Sequence, residues 1–172
     1  MAGPREFDEA PLRRRRFRTR IWSVVLVLLL LGVIGAVLRD DAMVWYYARQ
    51  IARNPNDDPW PVMEKMVLAG PAGAKWVLHD CRAGSADGSL AQRSAGLLKE
   101  ADYDVYPYVS ALFEDEDPRT RAYAATVAGC LGDRRYAEAV KKLTGDAAGL
   151  PKGWTDSTVS VRAKRALLNL PD

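Results

Sequence analysis

His79, Asp80 and Cys81 are three consecutive residues whose types could do chemistry, and His79 is the only histidine of the chain. A thiol activated by a neighbouring imidazole is the usual arrangement of a cysteine nucleophile. On a helix, however, residues two apart point about 200° away from each other, so His79 and Cys81 cannot form a hydrogen-bonded pair there. The triplet therefore predicts no catalytic dyad, and we expect no enzyme activity.

Signatures of metal and cofactor sites are also missing from the sequence. Cys81, Cys130 and the single histidine do not have a recognisable zinc spacing. The acidic run at residues 114–117 is not followed by the pattern of an EF-hand loop, and no P-loop, dinucleotide glycine fingerprint or G-x-S-x-G motif occurs. We expect no cofactor and no metal.

Residues 21–38 form the uncharged stretch IWSVVLVLLLLGVIGAVL. As a helix, these 18 residues would extend about 27 Å, close to the roughly 30 Å hydrocarbon core of a bilayer. The sequence therefore predicts a single transmembrane helix over residues 21–38, in contact with the lipid bilayer. A cleaved signal peptide, the alternative, needs a small-residue cleavage site that GAVLRDDA lacks.

Arginines are concentrated just before this stretch, whereas its other flank mixes Arg39 with Asp40 and Asp41. The positive-inside rule then places the N-terminus in the cytoplasm and the following domain in the periplasm or outside the cell. Arginine outnumbers lysine 18 to 7, which is typical of a GC-rich bacterial genome. We therefore predict a single-pass protein of the bacterial inner membrane. The arginines that set this topology are Arg13, Arg14, Arg15, Arg16, Arg18 and Arg20.

The basic character of the chain comes from its N-terminal segment. Residues 1–20 carry seven arginines and three acidic residues, and the rest has 18 basic and 19 acidic residues. A nucleic-acid-binding domain normally carries a basic stripe. The nearly neutral outer part therefore predicts no nucleic-acid partner.

Composition divides the chain into four segments. Residues 1–20 predict a disordered cytoplasmic tail, followed by the span over residues 21–38. Residues 39–58 predict an interfacial helix and a linker, because an apolar helical face is followed by the helix-breaking NPNDDP. Residues 59–172 predict an all-α domain of short amphipathic helices separated by glycine- and proline-containing turns.

The segment EDEDPRTRAYAATVAGCLGD, residues 114–133, shows the helix signals most clearly. Asp117 predicts an N-cap, Pro118 occupies the first helical position and Gly132 ends the helix. Asp133 then predicts the cap of the next helix.

Three segments repeat one pattern: AQRSAGLL at 91–98, TRAYAATV at 120–127 and VRAKRALL at 161–168. In each, a polar residue is followed four residues later by a small one, which would let a neighbouring helix approach closely. The spacings of 29 and 41 differ by the length of an insert at residues 145–156. Such a repeat predicts an α-solenoid of stacked helix pairs. The residue pairs are Gln92 and Gly96, Arg121 and Ala125, and Arg162 and Ala166.

DPRTRAYAATVAGCLGD, residues 117–133, resembles the short bacterial HEAT-like repeat, in which an aspartate turn precedes V-R-x-x-A-x-x-A-L and Gly-Asp closes the helix. STVSVRAKRALLNL repeats the pattern, and DGSLAQRSAGLL is a copy with Gln92 in place of arginine. The resemblance covers about residues 59–170. It implies a short α-solenoid of about three HEAT-like helix pairs plus a terminal helix, serving as a binding scaffold.

In the resembling fold, the second helix of each pair lines the concave side and contacts partners. Aromatic residues dominate interface hot spots, although helical spacing also places aromatic residues in a core. We expect a membrane or periplasmic protein as partner, including the subunits of a larger membrane complex. The candidate partner-binding residues are Trp76, Tyr106, Tyr108 and Tyr136.

Two alternative functions and one question about the cysteines stay open. An enzyme or a cofactor-handling chaperone would require a reactive Cys81 or Cys130. A signal-transducing sensor would use the arginine-rich tail as its output. The two cysteines could form a disulfide in an oxidising compartment, or each could be a small buried apolar residue on its own helix.

Overall fold

The computed structural model describes residues 10–54, 56–82, 88–154 and 156–171, with the side chains of residues 10–23, 34, 36 and 37 outside that description. The chain divides into two compact units, Met1–Arg39 and Asp40–Asp172. The described residues form helices, turns and a single isolated β-bridge. The predicted all-α class is thus confirmed.

Helix α1 spans Ala10–Arg53. Residues 10–20 are therefore helical, and the prediction of a disordered tail is wrong for them. Arginine is a good helix former, and Pro11 lies in the first turn, where proline is tolerated. No helix in the described part of the chain is apolar over a stretch long enough to cross a membrane. The predicted span at 21–38 includes side chains outside that part, and it stays a prediction.

The second unit begins inside α1 and continues through shorter helices. The predicted apolar face of α1 is half-buried there, and Ile51 packs against the core. A 3₁₀ turn over Ala111–Glu114 follows α5, and another over Arg134–Tyr136 precedes α7. The helices of this unit are α2 (Trp60–Ala69), α3 (Pro71–Arg82), α4 (Ser89–Lys99), α5 (Tyr106–Ser110), α6 (Pro118–Leu131), α7 (Ala137–Leu143) and α8 (Val159–Leu167).

The predicted ends of α6 are confirmed. The Asp117 carboxylate accepts a hydrogen bond from the Arg119 amide at 2.9 Å, with Pro118 at the first position. Gly132 ends the helix with φ +71°, a left-handed conformation that glycine adopts without strain. Asp133 accepts from the Arg135 amide at 2.9 Å and caps the following turn, as expected.

The helices of the second unit form two rows. In the first row, α4 packs on α6 and α6 packs on α8. In the second row, α3 contacts α5, and the 3₁₀ turn after α5 contacts α7. Every second helix along the chain thus packs on the next helix of its row, an arrangement compatible with solenoid-like stacking.

A close approach between first-row helices occurs at Gly129. A Cβ atom added there would lie 3.0 Å from the Cα atom of Ala166. The prediction that Gly96 permits such an approach is wrong, because Gly96 is exposed and nothing lies within 4 Å of its Cβ position. The buried face of α4 is formed instead by Ala91, Ser94, Ala95 and Leu98.

The two repeated arginines both hold the insert that follows α7. Arg121 Nε lies 2.7 Å from a carboxylate oxygen of Asp146, at the start of the insert. This hydrogen bond lowers the pKa of Asp146. Arg162 Nε lies 2.6 Å from the carboxylate of Asp156, at the end of the insert. The repeated position thus anchors a non-helical connection through an ion pair in both copies.

Candidate partner-binding surface

The His79-Asp80-Cys81 triplet lies on α3 with its members in different environments. His79 and Asp80 are exposed, whereas Cys81 is 4% exposed. The Arg82 guanidinium lies 3.1 Å from His79 Nε2. Because a guanidinium can only donate, Nε2 accepts this bond and the neutral ring carries its proton on Nδ1. The imidazole is therefore engaged by an arginine on the surface while the thiol belongs to the core.

Both cysteines are free thiols with raised pKa values. Burial raises the pKa of Cys81 to about 12, with a smaller contribution from the charge of Asp80. Burial also raises the pKa of the half-buried Cys130. In the described part of the chain, no group of three histidine, cysteine or acidic residues could hold a metal ion.

We expect iodoacetamide to modify Cys81 of the folded protein at least about 100-fold more slowly than the urea-unfolded chain, because burial suppresses the reactive thiolate. Mass spectrometry of peptides after timed alkylation measures both cysteines in one experiment. Cys130, which is half-buried, provides an internal comparison and should react faster than Cys81. Rapid stoichiometric labelling of native Cys81 would contradict the burial described above and would favour the cysteine-based alternative.

Helix α3, α5 and the 3₁₀ turn after α5 enclose an open groove of about 440 Å³, here named the α3–α5 groove. Its apolar floor includes the buried Leu78 and the half-buried Leu112. Basic side chains of α3 stand along one side, and none of the described lining residues carries a carboxylate. The lining residues are Lys75, Leu78, His79, Arg82, Pro107, Tyr108, Ala111 and Leu112.

A second groove of about 380 Å³ lies on the other side of α5 and is here named the α5–α7 groove. It shares Pro107 and Ala111 with the first groove, so the two flank one short helix. Tyr106, Phe113 and Leu143 contribute apolar or aromatic surface to it, and its charged lining residues are Glu114 and Lys142.

The four predicted partner-binding aromatic residues occupy different environments. Tyr108 is half-buried in the α3–α5 groove, and Tyr106 is half-buried in the α5–α7 groove. Trp76 is partly buried against the core and lines neither groove. The prediction for Tyr136 is wrong, because this side chain is 0% exposed and its ring stacks on Tyr106 at 4.9 Å between centroids. Packing in the core leaves Tyr136 no surface for a partner.

The arginines on which the predicted membrane topology rests lie in α1. Their side chains are outside the described residues, so the topology remains a prediction. These arginines are Arg13, Arg14, Arg15, Arg16, Arg18 and Arg20.

Comparison of this chain with protein-family models, curated proteins and solved structures finds no match. The functional interpretation therefore rests on the geometry of the described surface. Sequence reasoning missed the basic side of the α3–α5 groove, although Lys75, His79 and Arg82 follow the i, i+4, i+7 spacing of a single helix face. That spacing was the available signal.

Proposed function

We propose that this chain is a membrane-anchored, non-catalytic protein–protein interaction module with a HEAT-like domain over residues 59–172. The observation that carries the proposal is the pair of open grooves on the second row of helices. Both combine apolar floors with polar or charged side chains at their rims. Concave apolar surface with a few polar groups is typical of binding sites.

The proposed anchor is the uncharged segment at residues 21–38. Its described large apolar side chains are exposed, among them Leu28 at 62% and Leu29 at 63%. Continuous apolar surface of this kind is unfavourable in water, at about 25 cal/mol per Å², and lipid or a partner would cover it. With the arginines before it, this segment supports an N-terminus in the cytoplasm and a binding domain in the periplasm.

The proposed partner is a membrane or periplasmic protein, or a larger membrane complex that the chain joins as an accessory subunit. The competing hypothesis is an enzyme or cofactor-handling chaperone that uses Cys81 or Cys130. The raised pKa values of both thiols give that hypothesis no support.

We expect the tagged full-length protein, purified from gently solubilised native membranes, to retain a stoichiometric partner that mass spectrometry identifies. Ala111→Arg should remove this partner, because exposed Ala111 lines both grooves and a long side chain there would obstruct them. Leu168→Arg is the matched control, since Leu168 is 85% exposed and lies at the end of α8. We expect it to retain the partner.

Two further versions of the protein separate the roles of the anchor and the domain. A domain beginning at Asp40, the first residue of the second unit, tests whether the grooves bind without the span. Full-length protein with an unrelated leucine helix in place of residues 21–38 tests whether the span itself recognises the partner. Retention of the partner by Ala111→Arg, or recovery of no partner in any version, would contradict the proposed function.

A further inference from the structure

We propose that the α3–α5 groove binds an exposed acidic segment of the partner protein, with an apolar side chain of that segment seated on the groove floor. This inference rests on the proposed function and specifies the chemistry of the partner. It assigns Lys75 and Arg82 as the two residues that hold carboxylates, and Tyr108 as the aromatic wall beside the apolar side chain.

The charges of the groove favour an acidic occupant. Among the described residues that line the groove, the basic side chains are Lys75, His79 and Arg82, and none is an aspartate or glutamate. In the described part of the chain, no carboxylate lies within ion-pair distance of Lys75, whose Nζ atom lies 5.2 Å from the ring centroid of Tyr108. Arg82 Nη1 lies 3.4 Å from a carboxylate oxygen of Asp115. Lys75 therefore offers an unneutralised cation at the rim.

The hydrogen-bonding groups of the basic side are donors. Lysine and arginine side chains have no acceptor atoms, and His79 uses Nε2 to accept from Arg82, which leaves its Nδ1–H as a donor. A segment that presents carboxylate oxygens would satisfy all of these groups, whereas a basic segment would meet like charge. The charge-assisted bonds would also fix the orientation of the segment.

The spacing of these residues limits the sequence of the segment. Lys75 and Arg82 are seven residues apart on α3, which corresponds to about 10.5 Å along a helix. A polyproline-II chain advances about 3.1 Å per residue and repeats every three residues, so two carboxylates three positions apart lie on the same side and span about 9.3 Å. We therefore infer an extended acid-x-x-acid motif with a large apolar residue between the two acids.

The floor of the groove accounts for the apolar part of the motif. Leu78 and Leu112 provide its aliphatic surface, and Pro107 and Tyr108 border it. The volume of about 440 Å³ is in the range of small-ligand pockets and accommodates one large side chain with part of its backbone. A concave groove of this volume favours a protruding side chain over the flat surface of a bilayer.

Fluorescence anisotropy with labelled peptides tests the inference on the full-length protein in detergent. The probe is fluorescein-labelled Gly-Ser-Asp-Phe-Leu-Asp-Ser-Gly, and the matched control peptide has asparagine at both aspartate positions. We expect the asparagine peptide to bind about tenfold more weakly or worse, since it keeps the size of the acidic peptide but loses both negative charges. Binding of the acidic peptide should also weaken between about 20 mM and 200 mM salt.

Substitutions in the groove give a second, independent readout. Lys75→Glu and Arg82→Glu should each weaken binding of the acidic peptide about tenfold or more. Lys99→Glu, at the exposed end of α4, is the matched charge control and should bind normally. Two further peptides carry lysine in place of either the first or the second aspartate. One of the two should bind Lys75→Glu more tightly than the acidic peptide does, because its lysine would face the new glutamate. Circular dichroism checks that each variant is folded.

Three results would overturn the inference. The first is equal binding of the acidic and asparagine peptides, or no binding of the acidic peptide up to about 1 mM. The second is unchanged binding by Lys75→Glu and Arg82→Glu. The third is binding of phosphatidylglycerol vesicles to the full-length protein that these two substitutions abolish, which would assign the basic side to lipid. If the inference fails while Ala111→Arg still loses the native partner, the proposed function stands and only the acidic motif is wrong.

Discussion

Gly73→Ala is expected to destabilise the second unit by at least about 4 kcal/mol, a loss typical of severe overpacking and large enough to prevent folding. Gly73 lies in the first turn of α3, directly after the tight connection from α2. A Cβ atom at this position would lie 1.8 Å from the carbonyl oxygen of Met66 and 2.3 Å from its carbonyl carbon. These are backbone atoms of a buried residue of α2, so no side-chain rotation can relieve the overlap.

Urea unfolding followed by circular dichroism measures this loss of stability, and the yield of soluble protein gives a first indication. Gly96→Ala is the matched control, because Gly96 is also a helical glycine but has nothing within 4 Å of its Cβ position. We expect this control to stabilise the protein by up to about 1 kcal/mol, since alanine has the better helix propensity. Gly73→Ala with wild-type stability would show that α2 and α3 do not pack as described.

The comparison of Gly73, Gly96 and Gly129 shows where sequence reasoning reaches its limit. The caps of α6 at Asp117 and Gly132 were predicted correctly because capping depends on residues adjacent in sequence. Which glycine lies at a helix crossing depends instead on how two helices pack. The repeat pattern indicated Gly96, Ala125 and Ala166. Ala166 does lie at a close approach, opposite Gly129, whereas nothing lies within 4 Å of the Cβ position of Gly96. The tight contact at Gly73 was not indicated by the repeat.

The sequence also predicted only part of the candidate partner-binding surface. The sequence indicated that the second helices carry the surface aromatic residues, and Tyr108 does line a groove. It could not show that Tyr136 is buried, because that burial depends on stacking with Tyr106, which is 30 residues earlier in the chain. The basic residues of α3 were visible as a helix face, but Leu112 completes the groove from another helix. Pairing between helices is a tertiary property that the local pattern does not contain.

The second large effect is expected at Asp156, where alanine should cost about 3–5 kcal/mol of stability. Asp156 is 2% exposed, and its carboxylate lies 2.6 Å from Nε of Arg162, which is 4% exposed. Its other oxygen lies 2.9 Å from the guanidinium of the exposed Arg165. Removing the carboxylate leaves the positive charge of Arg162 buried without this counterion, whereas Arg165 can turn towards water.

Thermal and urea unfolding of Asp156→Ala measure the effect, with Asp104→Ala as the matched control. Asp104 also pairs with an arginine, Arg135, at 2.8 Å, but both side chains are about half exposed. We expect the control to cost much less than Asp156→Ala, because exposed ion pairs contribute little to stability. The double variant Asp156→Ala with Arg162→Met should recover much of the loss, because it removes the buried charge as well as its partner. Equal losses for the single and double variants would show that the insert is held by packing around Trp154 and not by this ion pair.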